Sequence, residues 1–224
     1  MAGGNDVKLL DLCCGAGGAA RGYHDAGFDD ITGVDIEPQP HYPYKFIQGD
    51  ALDYCRQHGH EYDVIHASPP CQTYSLLAFA PHRDMSSYPA LVAEFRELLV
   101  SIGKPYVIEN VPTAPLGNPI VLCGTMFGLP IHRHRAFECN PPVYFLPAGC
   151  NGARVKPIGS GKRLGQYYGA DAAMVTVAGH LFSRESGSRA MGIDWMTRDE
   201  LAESVPPVFT EYVGQQLLAA LEAS

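Results

Sequence analysis

Nowhere in its 224 residues does the chain hold the roughly 18 consecutive apolar residues that a membrane-spanning helix needs. The first ten residues, MAGGNDVKLL, lack the basic-then-apolar order of a secretory signal. The expectation is a soluble, cytoplasmic protein without a membrane partner. No Cys-x-x-Cys pair occurs, and the seven cysteines are an odd number with Cys13 and Cys14 adjacent. That usage suggests neither a disulfide framework nor a zinc site, so reduced thiols and no metal are expected. The histidines His66, His132, His134 and His180 are scattered, which favours polar or structural roles for them. Internal repeats and low-complexity tails are also lacking.

Basic residues are scarce, 16 Lys/Arg against 24 Asp/Glu, and a net charge of -8 looks unsuited to a nucleic-acid partner. The scarcity is uneven. Residues 133–198 hold nine Lys/Arg and four Asp/Glu, whereas residues 1–132 hold seven against fifteen and residues 199–224 none against five. One basic stretch on an acidic chain is the charge pattern of a single face that meets phosphates; a solvated surface is the other reading.

With 46% hydrophobic residues the chain can bury a full core as one domain with a small appendage. From Val7 to about Glu138, short apolar runs alternate with helical segments, which predicts an α/β, Rossmann-like fold with a mostly parallel sheet flanked by helices. VKLLDL reads as the first strand, ITGVD, YDVIHA and PYVIEN as later ones. Helices are predicted around Ala19–Ala26 and over Tyr88–Ile102, the second closed by Gly103 and Pro105. Between Cys139 and about Arg189 this alternation fails. The predicted organisation is therefore a main domain of residues 1–138 and 189–224 with a small irregular region at 139–188. Thr197 and Glu200 suggest a capping box, and Pro207 opens a last helix with Phe209, Val213, Leu217 and Leu221 on one face.

Straight after the first strand comes DLCCGAGGAARG, whose glycines allow a tight turn and close approach of the backbone to a ligand. Ala20 stands where the dinucleotide fingerprint has its third glycine, so a merely structural turn stays open. Asp35 ends the second strand twenty residues after Gly15, where an acid can accept from ribose hydroxyls. Asp50 follows the third strand and could read an adenine amino group; a loop-capping carboxylate is the alternative. Cys71 in ASPPCQTYS lies four residues beyond YDVIHA, behind the rigid Pro69-Pro70 pair. A thiolate there could add to an electron-poor ring carbon.

Taken together, these segments resemble the cytosine-5 DNA methyltransferases, in a short form of bacterial or phage type. DLCCGAGG, GVDIEP and Gly49-Asp50 look like the family's cofactor motifs, PCQTYS its nucleophile motif, Glu109-Asn110-Val111 its acid motif, His132–Arg135 its arginine motif and SVPP its last motif. The resemblance implies S-adenosylmethionine as cofactor, bound by Asp11, Leu12, Cys13, Gly15, Gly17, Gly18, Asp35, Ile36, Asp50, Ala51, Pro69, Ser204 and Val205. It implies DNA as partner, a flipped cytosine as target, a monomer, and a setting in a bacterial or phage-infected cell, as in restriction-modification. Cys71 would add to carbon 6, Glu109 would hold the ring nitrogen and amino group, Arg135 the ring oxygen, and Arg133 the nucleophile loop or a phosphate. Pro70, Gln72, Ser75 and Asn110 would face the substrate. Arg154, Lys162 and Arg163 in the short recognition region would meet phosphates or base edges, with Lys156, Arg184, Arg189, Tyr167 and Tyr168 as further candidates. The loop 76–88, with His82 and Arg83, would be a lid.

This sequence has Cys13 where the family often has an aromatic, Ile131 where it often has Gln, and Ala202-Glu203 where it usually has Gly-Asn. Relatives acting on transfer RNA share PCQ and ENV, so an RNA substrate is the nearest alternative. A methyltransferase of exocyclic amines would carry an aromatic in place of Cys71, and a silent regulator would have lost the nucleophile or the acid.

Overall fold

The structure is a computed structural model, and it describes residues 5–71, 73–74, 90–144, 149–150, 174–179 and 181–223. Seven strands form one sheet in the order β3-β2-β1-β4-β5-β7-β6. They are β1 (Asn5–Leu12), β2 (Phe28–Asp35), β3 (Lys45–Gln48), β4 (Val64–Ala67), β5 (Tyr106–Asn110), β6 (Ile120–Cys123) and β7 (His134–Asn140). Pairings among the first five are parallel, while β7 lies antiparallel between β5 and β6. The predicted mostly parallel sheet is thus present, with one reversed strand.

Alternation along the strands sends successive side chains to opposite faces. Leu9, Val64 and Val107 join one core, and Leu10, Ile65 and Ile108 the other. On the first face lie α1 (Gly18–Ala26), through Ala20 and Tyr23, and α6 (Pro207–Glu222), through Phe209, Val213 and Leu217. On the second lie α2 (Ala51–His58) and α3 (Val92–Ile102), through Leu52, Cys55, Phe95 and Leu99. The start of α3 falls later than Tyr88; residues 88 and 89 are outside the described ones. Its end is as read, at Gly103 with φ 74°, a left-handed cap that glycine adopts without a steric cost.

A third core joins the glycine loop to the chain's last third. Ala16 packs with Ile131, Val177, Phe182, Met191, Met196 and Leu201, around α4 (Arg184–Met191) and α5 (Arg198–Glu203). Thr197 and Glu200 form the predicted capping box on α5. Val177 and Phe182 come from the stretch read as irregular, and both are buried here. Among the described residues no helix is long and apolar enough to cross a membrane.

Candidate active site

The carboxyl ends of β1, β2, β4 and β5 lie along one edge of the sheet, and in parallel sheets this edge carries the ligand crevice. After β1 the chain turns through Cys13, Gly15 and Gly17, with φ of 55°, 48° and 83°. A Cβ on Gly15 would meet nothing within 4 Å, whereas one on Gly18 would lie 2.0 Å from Ser204 Oγ and 2.5 Å from the Val205 carbonyl. Gly15 therefore leaves open space, and Gly18 lets the loop seat against Ser204-Val205. Trp195 Nε1 donates to the Ala16 carbonyl at 2.9 Å, and Arg21 stacks on that indole. These contacts brace the loop from behind.

Asp35, half-buried at the end of β2, accepts from the backbone N–H of Gly15 at 2.9 Å and of Glu37 at 3.1 Å. A carboxylate has about four acceptor sites, so capacity remains for two hydroxyls. Ile36 beside it is exposed, and Leu12 and Ala51 are buried. Asp50 caps α2 by accepting from Asp53 N at 2.9 Å, which is the capping alternative realised. Asp11 is fully buried, takes a hydrogen bond from Tyr42 and is pushed well above the usual carboxylate range by burial. Its Oδ1 has no hydrogen-bond partner among the described residues.

The chain leaves β4 through Ser68, Pro69 and Pro70 to the half-buried Cys71. Asn110 fixes it, since its Nδ2 donates to the Pro69 carbonyl at 2.9 Å and its Oδ1 accepts from Val111 N. Burial pushes the Cys71 thiol up; Arg135 pulls it down, Glu109 raises it, and Arg133 pulls it down. Gln72 and Ser75 lie outside the described residues, as do the loop 75–89 with His82 and Arg83, the stretch 151–173 with Arg154, Lys156, Lys162, Arg163, Tyr167 and Tyr168, and His180.

Glu109 on β5 is buried beside Arg135 on β7, with Arg135 Nε 3.0 Å from Glu109 Oε1. The contact is an ion pair in distance only, because Oε1 makes no hydrogen bond among the described residues. Burial raises the Glu109 carboxyl against the opposing pull of Arg135, Ser68 and Arg133. Arg133 is also buried; burial and Arg135 push it down to about 9, which leaves it charged at neutral pH. Its terminal nitrogens donate to the carbonyls of Val177 at 2.7 Å and Ala202 at 2.8 Å, so it ties the third core together. Arg184 likewise donates to the carbonyls of Met196 and Asp194, and Arg189 pairs with Glu185.

Behind Glu109 runs a chain of polar contacts that the motifs do not reveal. Tyr23 Oη lies 2.9 Å from His66 Nδ1, His66 Nε2 lies 2.8 Å from Ser68 Oγ, and Ser68 bonds the Glu109 carboxylate. Burial pushes His66 down to about 3, so the ring is neutral and has one N–H. If Ser68 gives its only proton to the carboxylate, its oxygen must accept from His66 Nε2–H. Nδ1 is then the acceptor for Tyr23. In that tautomer every donor points towards Glu109. The only sequence signal for the chain is a histidine in an otherwise apolar strand.

Residues 7–114 match the family model of the C-5 cytosine-specific DNA methylases. The likeness to that family is carried by this stretch, just under half of the chain. The type II methyltransferase M.AquIA of Picosynechococcus sp. is 32% identical over 124 residues, which cover 47% of this chain and 49% of that protein. M.AgeI of Thalassovita gelatinovora is 27% identical over 200 residues, 66% of this chain and 44% of its own length. The chain thus spans about half the length of the relatives it matches, or less. Two solved structures share its fold. One protein, assigned as a DNA modification methyltransferase encoded within an E. coli prophage, has a TM-score of 0.64 at 16% identity and covers 96% of this chain and 99% of its own. The S. pombe Dnmt2 methyltransferase has a TM-score of 0.61 at 13% identity with the same coverage.

Proposed function

We propose that the protein transfers a methyl group from S-adenosylmethionine to carbon 5 of a cytosine in DNA, with Cys71 as nucleophile. The observation that carries this reading is the meeting of Cys71, Glu109 and Arg135 at one sheet edge, with Glu109 Oε1 buried and without a hydrogen bond among the described residues. A buried acceptor of that kind is costly unless a ligand completes it.

The residues present fit the cofactor. Gly15 leaves room at the turn, Asp35 offers acceptors at the end of β2, exposed Ile36 offers an apolar surface, and the Gly18–Ser204–Val205 contact holds the loop. When bound there, S-adenosylmethionine supplies an electrophilic methyl group.

The chemistry assigned to the chain follows from cytosine being a poor electrophile. The Cys71 thiolate forms a bond to carbon 6, and the ring electrons move to carbon 5. Glu109, raised by burial and so able to carry a proton, donates to the ring nitrogen and accepts from the amino group, which stabilises the developing charge. Arg135 faces the ring oxygen and favours the thiolate. Methylation of carbon 5 would leave S-adenosylhomocysteine behind; the carbon 5 proton then passes to water, the C5–H electrons form the C5–C6 double bond, and the Cys71 sulfur departs as thiolate, which restores the ring. The base must leave the duplex to reach these groups, at a cost of roughly a few kcal/mol.

The test is incubation of the full chain with methyl-labelled S-adenosylmethionine and either duplex DNA or transfer RNA, followed by nucleoside analysis. Label in 5-methyldeoxycytidine is the expected outcome; label confined to RNA, or none despite cofactor binding, overturns it. In parallel, Cys71→Ser is expected to abolish covalent trapping on DNA carrying 5-fluorocytosine. Trapping that survives the substitution removes Cys71 from its role.

A further inference from the structure

Cys123 closes β6 and His134 opens β7, and the antiparallel register sets these two residues directly opposite each other. Neighbours across such a pair project to the same face. Cys150 comes to the same place. One ligand atom from each of Cys123, His134 and Cys150 lies within 4.8 Å of the other two. His132, two residues before His134, stacks its ring on that of His134 and brings Nδ1 to 4.0 Å from Cys123 Sγ.

We propose that Cys123, His132, His134 and Cys150 form a structural zinc site. Tetrahedral zinc, with bonds of about 2.3 Å to sulfur and about 2.0–2.1 Å to nitrogen, separates a sulfur and a nitrogen ligand by about 3.6 Å. Cys150 Sγ lies 3.6 Å from His134 Nε2; His132 stands outside the group of three, with Nδ1 4.0 Å from Cys123 Sγ, and has to swing inward to complete the tetrahedron. Two thiolates and two imidazoles neutralise the ion and leave no open position, so the site is closed and structural rather than catalytic. Thr125 Oγ1 lies 3.3 Å from Cys123 Sγ and 3.6 Å from Cys150 Sγ, placed to donate to a thiolate as an outer contact. Binding releases the two thiol protons, so affinity rises with pH.

The consequence concerns the active site without depending on the function proposed above. His132 and His134 alternate with Arg133 and Arg135, so an ion held there fixes the stretch from which both arginines project. Cys150 is the last described residue before 151–173, and its coordination would anchor the start of that basic stretch to the β6–β7 edge. The spacing Cys-x8-His-x-His-x15-Cys is no recognisable local motif; strand register assembles the donors.

The test uses the full chain, expressed in zinc-supplemented medium and desalted. Elemental analysis is expected to give one zinc per chain in the native protein and in Cys139→Ser, and none in Cys123→Ser or Cys150→Ser. Should those two variants fail to fold, the native protein decides: stripped and titrated with cobalt, it is expected to show the ligand-field bands of a tetrahedral site and a sulfur-to-cobalt charge-transfer band of two thiolates. Native protein that takes up neither metal after full reduction overturns the proposal, as does zinc that persists when both Cys123 and Cys150 are replaced.

Discussion

Ser68 donates to Glu109 from one side and meets His66 Nε2 on the other, so one hydroxyl couples a buried neutral imidazole to the proposed acid. Ser68→Ala would leave the His66 N–H without a buried acceptor, at a cost of about 1–3 kcal/mol in chemical unfolding. It would also remove a donor that opposes the rise of the Glu109 carboxyl. The proton then stays on Glu109 to higher pH, and the alkaline limb of the kcat–pH profile is expected to move upward. An unmoved limb with unchanged stability would separate Ser68 from the acid. Cys71, Glu109 and Arg135 are legible because each stands in a short motif tied to strand ends. Tyr23, His66 and Ser68 are not, because β-register and the seat of α1 on the sheet bring them together across 43 residues of chain.

Two contacts between elements set how the helices seat on the sheet. Gly22 of α1 faces the first turn of α6, where an added Cβ would fall 1.9 Å from the Pro207 carbonyl and 2.1 Å from Thr210 Oγ1. Backbone on one side cannot yield cheaply, so Gly22→Ala is expected to cost about 1–3 kcal/mol or more in chemical unfolding. On the other face, Arg96 of α3 donates to Glu138 of β7 at 2.8 and 2.7 Å, and Gly117 N donates to the same carboxylate. Burial pushes Glu138 up, but Arg96 and Gly117 outweigh it and hold the carboxyl below its ordinary value. A depressed folded value gives stability that is present above the unfolded pKa of about 4.3 and lost as pH falls through the folded one. Arg96→Met is expected to cost about 2–3 kcal/mol at pH 7, and the gap from the native protein should narrow on acidification through that range. A gap that stays constant with pH would show that packing, not charge, holds the pair. Helix ends at Gly103 and at the Thr197–Glu200 box are legible because caps are local. The reversed β7 is not, since its partners β5 and β6 determine its direction.

At the scale of the whole molecule the charge is segregated: the chain is acidic except for residues 133–198. Within that stretch Arg133, Arg135, Arg184, Arg189 and Arg198 have protein partners, and Arg154, Lys156, Lys162 and Arg163, which lie outside the described residues, are the proposed phosphate contacts. Replacing Arg154, Lys162 and Arg163 by alanine is expected to weaken DNA binding most at low salt. It should also flatten the plot of log affinity against log salt by about 0.9 for each phosphate that is no longer neutralised. A parallel shift with the slope unchanged would assign those side chains to something other than phosphate.

The sequence by itself determined the class of fold and the order of its motifs, and it singled out Cys71 and Glu109 as the proposed nucleophile and acid. Apolar periodicity, glycines at tight turns and a cysteine after two prolines act over a few residues and survive without tertiary information. Only the tertiary structure decided which polar groups share a neighbourhood. It set Asp50 to capping α2, drew Arg133 and Arg184 onto backbone carbonyls, lined up Tyr23, His66 and Ser68 behind Glu109, and gathered Cys123, His134 and Cys150 at the β6–β7 edge. Burial in a sheet forces polar atoms to find partners, and register, which no local pattern encodes, decides which partners are within reach.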